Sequence, residues 1–156
     1  MLKILGDINF SDGFFDMGFG VGSAIKKGFD PFAKLYRKRT DFWIGNLECV
    51  CANTSDKQGV YAKQFLISPR DLMHVKHLDL YGVANNHVMQ HGESAYREML
   101  WYLSEHGVQY VGSLERRSTT FFHEGKKVGI MAFSQRPDNF SHYTGVYQNT
   151  PRFKVN

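Results

Sequence analysis

The chain alternates between short apolar runs that end in polar residues and longer stretches with helical spacing. Leu2–Leu5 is apolar and stops at Gly6-Asp7, the pattern of a strand feeding a loop. Asp12–Gly22 mixes four glycines with phenylalanines and reads as a mobile loop or an apolar lip. Asp30-Pro31 predicts a helix start, with Asp as cap and Pro at the first helical position. Phe32, Leu35, Tyr36 and Arg39 then fall on one face. Asp41–Leu47 (DFWIGNL) is a second strand and Lys63–Ile67 a short one. Ser68-Pro69-Arg70-Asp71 opens another helix, running to about His77. Leu78–Ala84 is a third main strand, ending in Asn85-Asn86-His87. Glu93–His106 is the clearest helix: Tyr96, Met99, Leu100 and Leu103 recur at helical spacing, and Gly107 supplies the stop. Val108–Val111 is a further strand. Thr119–His123 and Lys127–Phe133 flank Glu124-Gly125-Lys126 as a hairpin. Beyond Gln135 the periodicity fails, so residues 1–135 read as one domain and 136–156 as an irregular tail.

Strands alternating with helices imply parallel βαβ units, whose sites form at the carboxyl ends of the strands. Three strands here end in Asp7/Asn9, Asn46/Glu48 and Asn85/Asn86/His87, so three sequence-distant polar clusters are expected on one edge. Carboxylate, amide oxygen and imidazole suit a divalent metal such as Mn²⁺, Mg²⁺, Zn²⁺ or Fe²⁺. Such a metal, held by Asp7, Glu48 and Asn86, would polarise a phosphoryl or carbonyl oxygen and generate hydroxide from water. His87 is the candidate catalytic acid or charge stabiliser. Asn9, Asn46, Asn85 and His91 are candidates for the surrounding ring of partners. Each cluster also has a plainer role: Asp7 as a cap, Glu48 in a surface salt bridge, Asn85 and Asn86 in an Asx-type turn.

The 156 residues suit one domain or part of a larger one, and 42% hydrophobic with 22% charged residues excludes simple disorder. Fifteen glycines and four prolines without a period exclude a collagen-like chain. No apolar run reaches the length of a membrane-spanning helix, and the start lacks a secretory signal, so a cytoplasmic location is expected. In that setting the sequons at Asn53 and Asn139 carry no meaning. Cys49 and Cys51 read as reduced, small apolar side chains. The net charge of +4 is mild. The basic run Lys34–Arg39 (KLYRKR) reads as a solvated helix face, so nucleic acid is not an expected partner. His74 and His77 fall at i, i+3 on a solvated helix face. His106 reads as a helix C-terminal charge, and His123 and His142 as exposed. Phe10, Phe14, Phe15 and Phe19 are assigned to the core. A serine hydrolase of the Gly-Asp-Ser type fails because Ile8 follows Asp7, and no histidine is placed to activate Ser11.

Gly6-Asp7-Ile8, then Ile44-Gly45-Asn46-Leu47-Glu48-Cys49, then Ala84-Asn85-Asn86-His87 resemble the successive motifs of bacterial capsule-synthesis proteins of the CapA type, which include poly-γ-glutamate synthesis proteins. The later Gly107-Val108-Gln109-Tyr110-Val111-Gly112 matches too, and the likeness covers roughly residues 2–135. The resemblance implies a calcineurin-like metallophosphoesterase fold, an α/β sandwich of two sheets flanked by helices. It implies metal ligands at Asp7, Glu48 and Asn86 with His87 beside them, and a link to making or exporting an anionic capsule polymer. An anionic polymer or a phosphoester is then the expected substrate. The alternative is a non-catalytic module that binds such a polymer or a capsule-assembly partner.

Two departures stand out. The family pattern carries an aspartate before Tyr-Gly after Asn-Asn-His; here those positions are Gln90, His91 and Gly92, so an acid to orient His87 is absent and His91 adds a donor. The family also continues into a second half with further histidine motifs, whereas this chain stops at Asn156. It is therefore expected to be the N-terminal βαβ half: a fragment, a truncated homologue, or one protomer of a homo-oligomer that covers an exposed apolar sheet face.

Overall fold

The computed structural model describes residues 1–75 and 77–134; the expected tail, His142 and Asn139 lie outside them. In chain order the elements are β1 (Leu2–Ile8), α1 (Val21–Lys26), β2 (Phe42–Leu47), β3 (Val50–Cys51), β4 (Leu66–Ile67), α2 (Leu72–Val75), β5 (Leu80–Gly82), α3 (Gly92–Glu105), β6 (Tyr110–Val111), β7 (Ser118–His123) and β8 (Lys126–Met131). The fold is mixed α/β. Its central sheet has the order β1-β2-β5-β6 with every neighbouring pair parallel, as the strand–helix alternation requires. β3 and β4 form a small parallel pair, and β7 and β8 an antiparallel hairpin whose turn holds Gly125 at φ 76.

Each face of the central sheet has its own apolar cover. On one side Trp43, Leu47, Tyr81 and Val83 pack with Ala95, Tyr96, Met99 and Leu103 of α3. These four α3 residues lie on one stripe, which is why this segment is helical. Each of the fully buried Met99 and Leu103 contributes about 1.5–3 kcal/mol by leaving water. Gly107 ends the helix at φ 68, with Val108 N–H bonding back to Leu103 O. On the other side Ile44, Leu80 and Val111 are covered by the hairpin through Phe121 and Ile130, and Phe42 stacks on Phe121 with centroids 3.9 Å apart.

The sequence expectations need correction in several places. Asp30-Pro31 starts a turn, not a helix: Asp30 Oδ1 accepts from Phe32 N–H at 2.8 Å, the bond of an Asx turn. The basic run behind it is an irregular segment, held because Arg37 reaches the Asp79 carboxylate and the His77 carbonyl. The helix of this crossover is α1 instead, inside the expected loop, where Asp12 accepts from Ser23 N–H and Ser23 Oγ. α2 ends at Val75, so His77 does not share its face with His74; its ring lies 4.9 Å from that of Phe32. Phe10 is core, but Phe14, Phe15 and Phe19 are exposed, with Phe14 against Phe15 and Tyr61 as an apolar lip. His123 is half-buried beside Glu124, not exposed. Cys49 and Cys51 are buried and unbridged, and burial pushes the Cys49 thiol up to about 12. Among the described residues no helix is long and apolar enough to cross a membrane.

Candidate functional site at the carboxyl edge of the sheet

β1 reaches this edge through an irregularity. Ile4 faces Ile44, but Asp7 faces Asn46, so three steps along β1 match two along β2. The extra residue is a bulge. Side chains alternate along a strand, so without the bulge Asp7 would point to the opposite face from Asn46. With it, Asn46 Nδ2 donates to Asp7 Oδ1 at 2.6 Å.

The network continues across the sheet. Asn85 Nδ2 donates to Asn46 Oδ1 at 3.2 Å and to Leu47 O at 2.8 Å, while Asn85 Oδ1 accepts from His87 N–H at 3.0 Å. Asn85 is buried, so these bonds also satisfy its polar atoms. The turn that carries it is supported by Gly112, at φ 113: a Cβ there would lie 2.8 Å from Ala84 N, so only glycine lets the end of β6 approach so closely.

Glu48 follows β2 directly, and its N–H bonds Ile8 O at 2.9 Å. Burial pushes its carboxyl above the usual range, the neighbouring charge of Asp7 pushes it the same way, and His87 opposes both. His87 Nε2 stands 3.9 Å from Glu48 Oε1, with both side chains largely buried. His87 Nδ1 meets Gln90 Oε1 at 2.7 Å, and the imidazole stacks on Phe65 with centroids 3.8 Å apart and planes 9° apart.

Asp7, Asn46, Glu48, Asn85 and His87 are thus gathered at one edge. Asn86 is half-buried next to His87 in the chain and makes no hydrogen bond among the described residues. Two candidates turn elsewhere. Asn9 Oδ1 accepts from Ser11 N–H and Ser11 Oγ, closing an Asx-type turn after β1. His91 is buried, with Nδ1 on Ser55 Oγ at 2.8 Å and Nε2 on Gln64 O at 2.7 Å; its ring braces two loops. Sequence reasoning did not assign Gln90 and Phe65 to the site. Gln90 had a signal, its i, i+3 spacing from His87; Phe65 had none.

The donors suit a hard divalent cation: two carboxylates whose mutual repulsion a cation would relieve, with amide oxygens alongside. Among the described residues, no three His, Cys, Asp or Glu side chains gather closely enough to hold a metal ion by themselves. An amide oxygen such as that of Asn86, or water, would have to complete the set. An open cavity of about 550 Å³ is lined among others by Ser11, Asp12, Ser23, Lys26, Lys63 and Asp71, and by none of the acids or the histidine of this edge.

A family model described as bacterial capsule synthesis protein PGA_cap matches residues 1–154. No curated protein matches the chain.

Proposed function

The chain belongs to the bacterial capsule synthesis protein family, and from that premise we propose that it is a divalent-metal-dependent hydrolase of the phosphoesterase type, acting on an anionic or phosphoester substrate in capsule production. The proposal includes the calcineurin-like sandwich as the fold to which this mixed α/β sheet belongs. One observation carries the reading: the paired acids Asp7 and Glu48 share the carboxyl edge with His87, and Glu48 is held above its usual range by burial and by Asp7. A carboxyl perturbed by burial and by a second acid is the arrangement that cation binding or proton transfer uses.

Asp7, Glu48 and the Asn86 amide would hold the metal. When bound, it supplies Lewis-acid polarisation of the substrate and a lowered pKa for water. The chain's own residues do the rest. Asn46 fixes the rotamer of Asp7, and Asn85 fixes Asn46. With Gln90 Oε1 as acceptor, Nδ1 of His87 carries the ring proton and Nε2 is the nitrogen turned toward Glu48. From there His87 would hand a proton to a leaving group when protonated, or stabilise charge developing at the edge.

Calorimetric titration with Mn²⁺ and hydrolysis of a generic aryl phosphate ester test this. Asp7→Asn is expected to weaken Mn²⁺ binding at least about tenfold, and His87→Ala to slow hydrolysis about a hundredfold while binding persists. Mn²⁺ binding unchanged in both Asp7→Asn and Glu48→Gln would overturn the ligand assignment. Mn²⁺ binding without turnover in the native chain would favour a second reading, a non-catalytic module that binds an anionic polymer.

A further inference from the structure

We infer that Phe65 is a positioning residue, held in a strained conformation so that its ring fixes the plane of the His87 imidazole. The inference rests on His87 being the working group of the proposed site. Phe65 lies at φ 56, in the left-handed region that bulky side chains seldom adopt. Such strain persists only where the surroundings over-determine it. Three fastenings do so here. Phe65 N–H donates to Ser11 Oγ at 2.9 Å, and Phe65 O accepts from Val50 N–H at 2.7 Å. The preceding carbonyl, Gln64 O, is tied to His91 Nε2, and His91 is itself fixed by Ser55.

These fastenings explain two residues that stand in or beside the site's motifs yet turn away from it. Ser11, set by Asn9, and His91, four residues after His87, both brace the loop that carries Phe65. What that loop delivers is an aromatic face at 3.8 Å, nearly parallel to the imidazole. The hydrogen bond to Gln90 sets one ring nitrogen of His87, and the last side-chain torsion of histidine is broad, so the plane of the ring is set by its packing. Stacking on Phe65 fixes that plane. Gln90 then selects the tautomer, and Phe65 keeps the ring in the plane where that selection holds. A phenylalanine needed only for burial would not require a left-handed backbone.

Imidazole nitrogen NMR of the full chain tests this, at a pH where His87 is neutral, with its signals assigned by comparison with His87→Ala. The native chain is expected to show a single tautomer protonated at Nδ1. Phe65→Leu keeps an apolar side chain but no flat face, and should shift both nitrogen signals toward averaged values. Phe65→Tyr should restore the native pattern. Phe65→Gly relieves the strained φ and removes the ring, so the same averaging is expected in a chain that stays folded, should Phe65→Leu fail to fold. A native single-tautomer pattern in both Phe65→Leu and Phe65→Gly would overturn the inference. Mn²⁺ added to the same samples separates the two claims: no effect on the native chain would count against the hydrolase reading, while the tautomer comparison still decides the role of Phe65.

Discussion

Two pairs of acids in this molecule show opposite electrostatics. Asp12 accepts from Gly18 N–H, Ser23 N–H and Ser23 Oγ, and Glu98 accepts from the N–H and side-chain groups of both Asn53 and Thr54. Burial opposes charge on each, yet these donors, with Lys26 near Asp12, hold both carboxyls below their usual range. Asp7 and Glu48 form the other pair. Asp7 receives a bond from Asn46, but Glu48 is pushed up by burial and by Asp7. The first pair uses its charge to fasten loops. The second has fewer partners, Asn46 on Asp7 and the His87 ring 3.9 Å from Glu48, and that difference separates a structural acid from a candidate ligand.

Removing the fastening acids should give the largest losses. Asp12→Ala leaves three donors without their acceptor at the α1 entry, and a loss of about 3 kcal/mol in urea unfolding is expected. A loss below about 1 kcal/mol would show that water replaces the carboxylate without penalty, and the comparison would fail at its structural side. Glu98→Gln keeps one acceptor oxygen and should cost less, about 1 kcal/mol at neutral pH. Its sign with pH is fixed by the depressed carboxyl. The stability from Glu98 is complete above the ordinary carboxylate range and is lost as pH falls through its lowered value. Unfolding curves of the native chain and Glu98→Gln should therefore converge in acid.

The site was legible in the sequence to the extent that it follows from strand ends. An apolar run that stops at a polar residue marks the carboxyl edge, and parallel pairing puts those edges side by side, so the meeting of Asp7, Asn46, Glu48, Asn85 and His87 at one edge was legible. The α3 stripe was legible for a similar reason, since its period is local. What escaped depends on distant partners. The bulge that turns Asp7 toward Asn46 is a property of the β1–β2 register, not of β1 alone. An Asp side chain bonding a backbone N–H two residues on serves an Asx turn as well as a helix start, and at Asp30 the contacts of Phe32 and Arg37 decide for the turn. The left-handed Phe65 has no local signal, because glycine or asparagine would be the residue to expect there.

The smallest effect should also have the opposite sign. Glu48 has a raised carboxyl in the folded chain, so the folded state holds its proton more tightly than the unfolded state does. The stability this provides is present below the ordinary carboxylate range and is lost as pH rises through the raised value. Above the raised value the ionised Glu48 is therefore a liability, and there Glu48→Gln, which cannot ionise, should unfold at higher urea than the native chain. In acid, where the native Glu48 is protonated, the two should coincide. Asp7→Asn should make that fall smaller and complete it at a lower pH, because it removes the second cause of the shift while burial remains. Mn²⁺ sharpens the contrast. A cation between the two carboxylates offsets their repulsion and should stabilise the native chain as its concentration passes the dissociation constant. That gain should shrink in Glu48→Gln, whereas Glu98→Gln should keep it, because the Glu98 carboxylate is already occupied by the Asn53 and Thr54 donors. Equal Mn²⁺ gains in Glu48→Gln and the native chain would show that the acid at the sheet edge differs from the fastening acids in its solvation alone, and not in what it is there to bind.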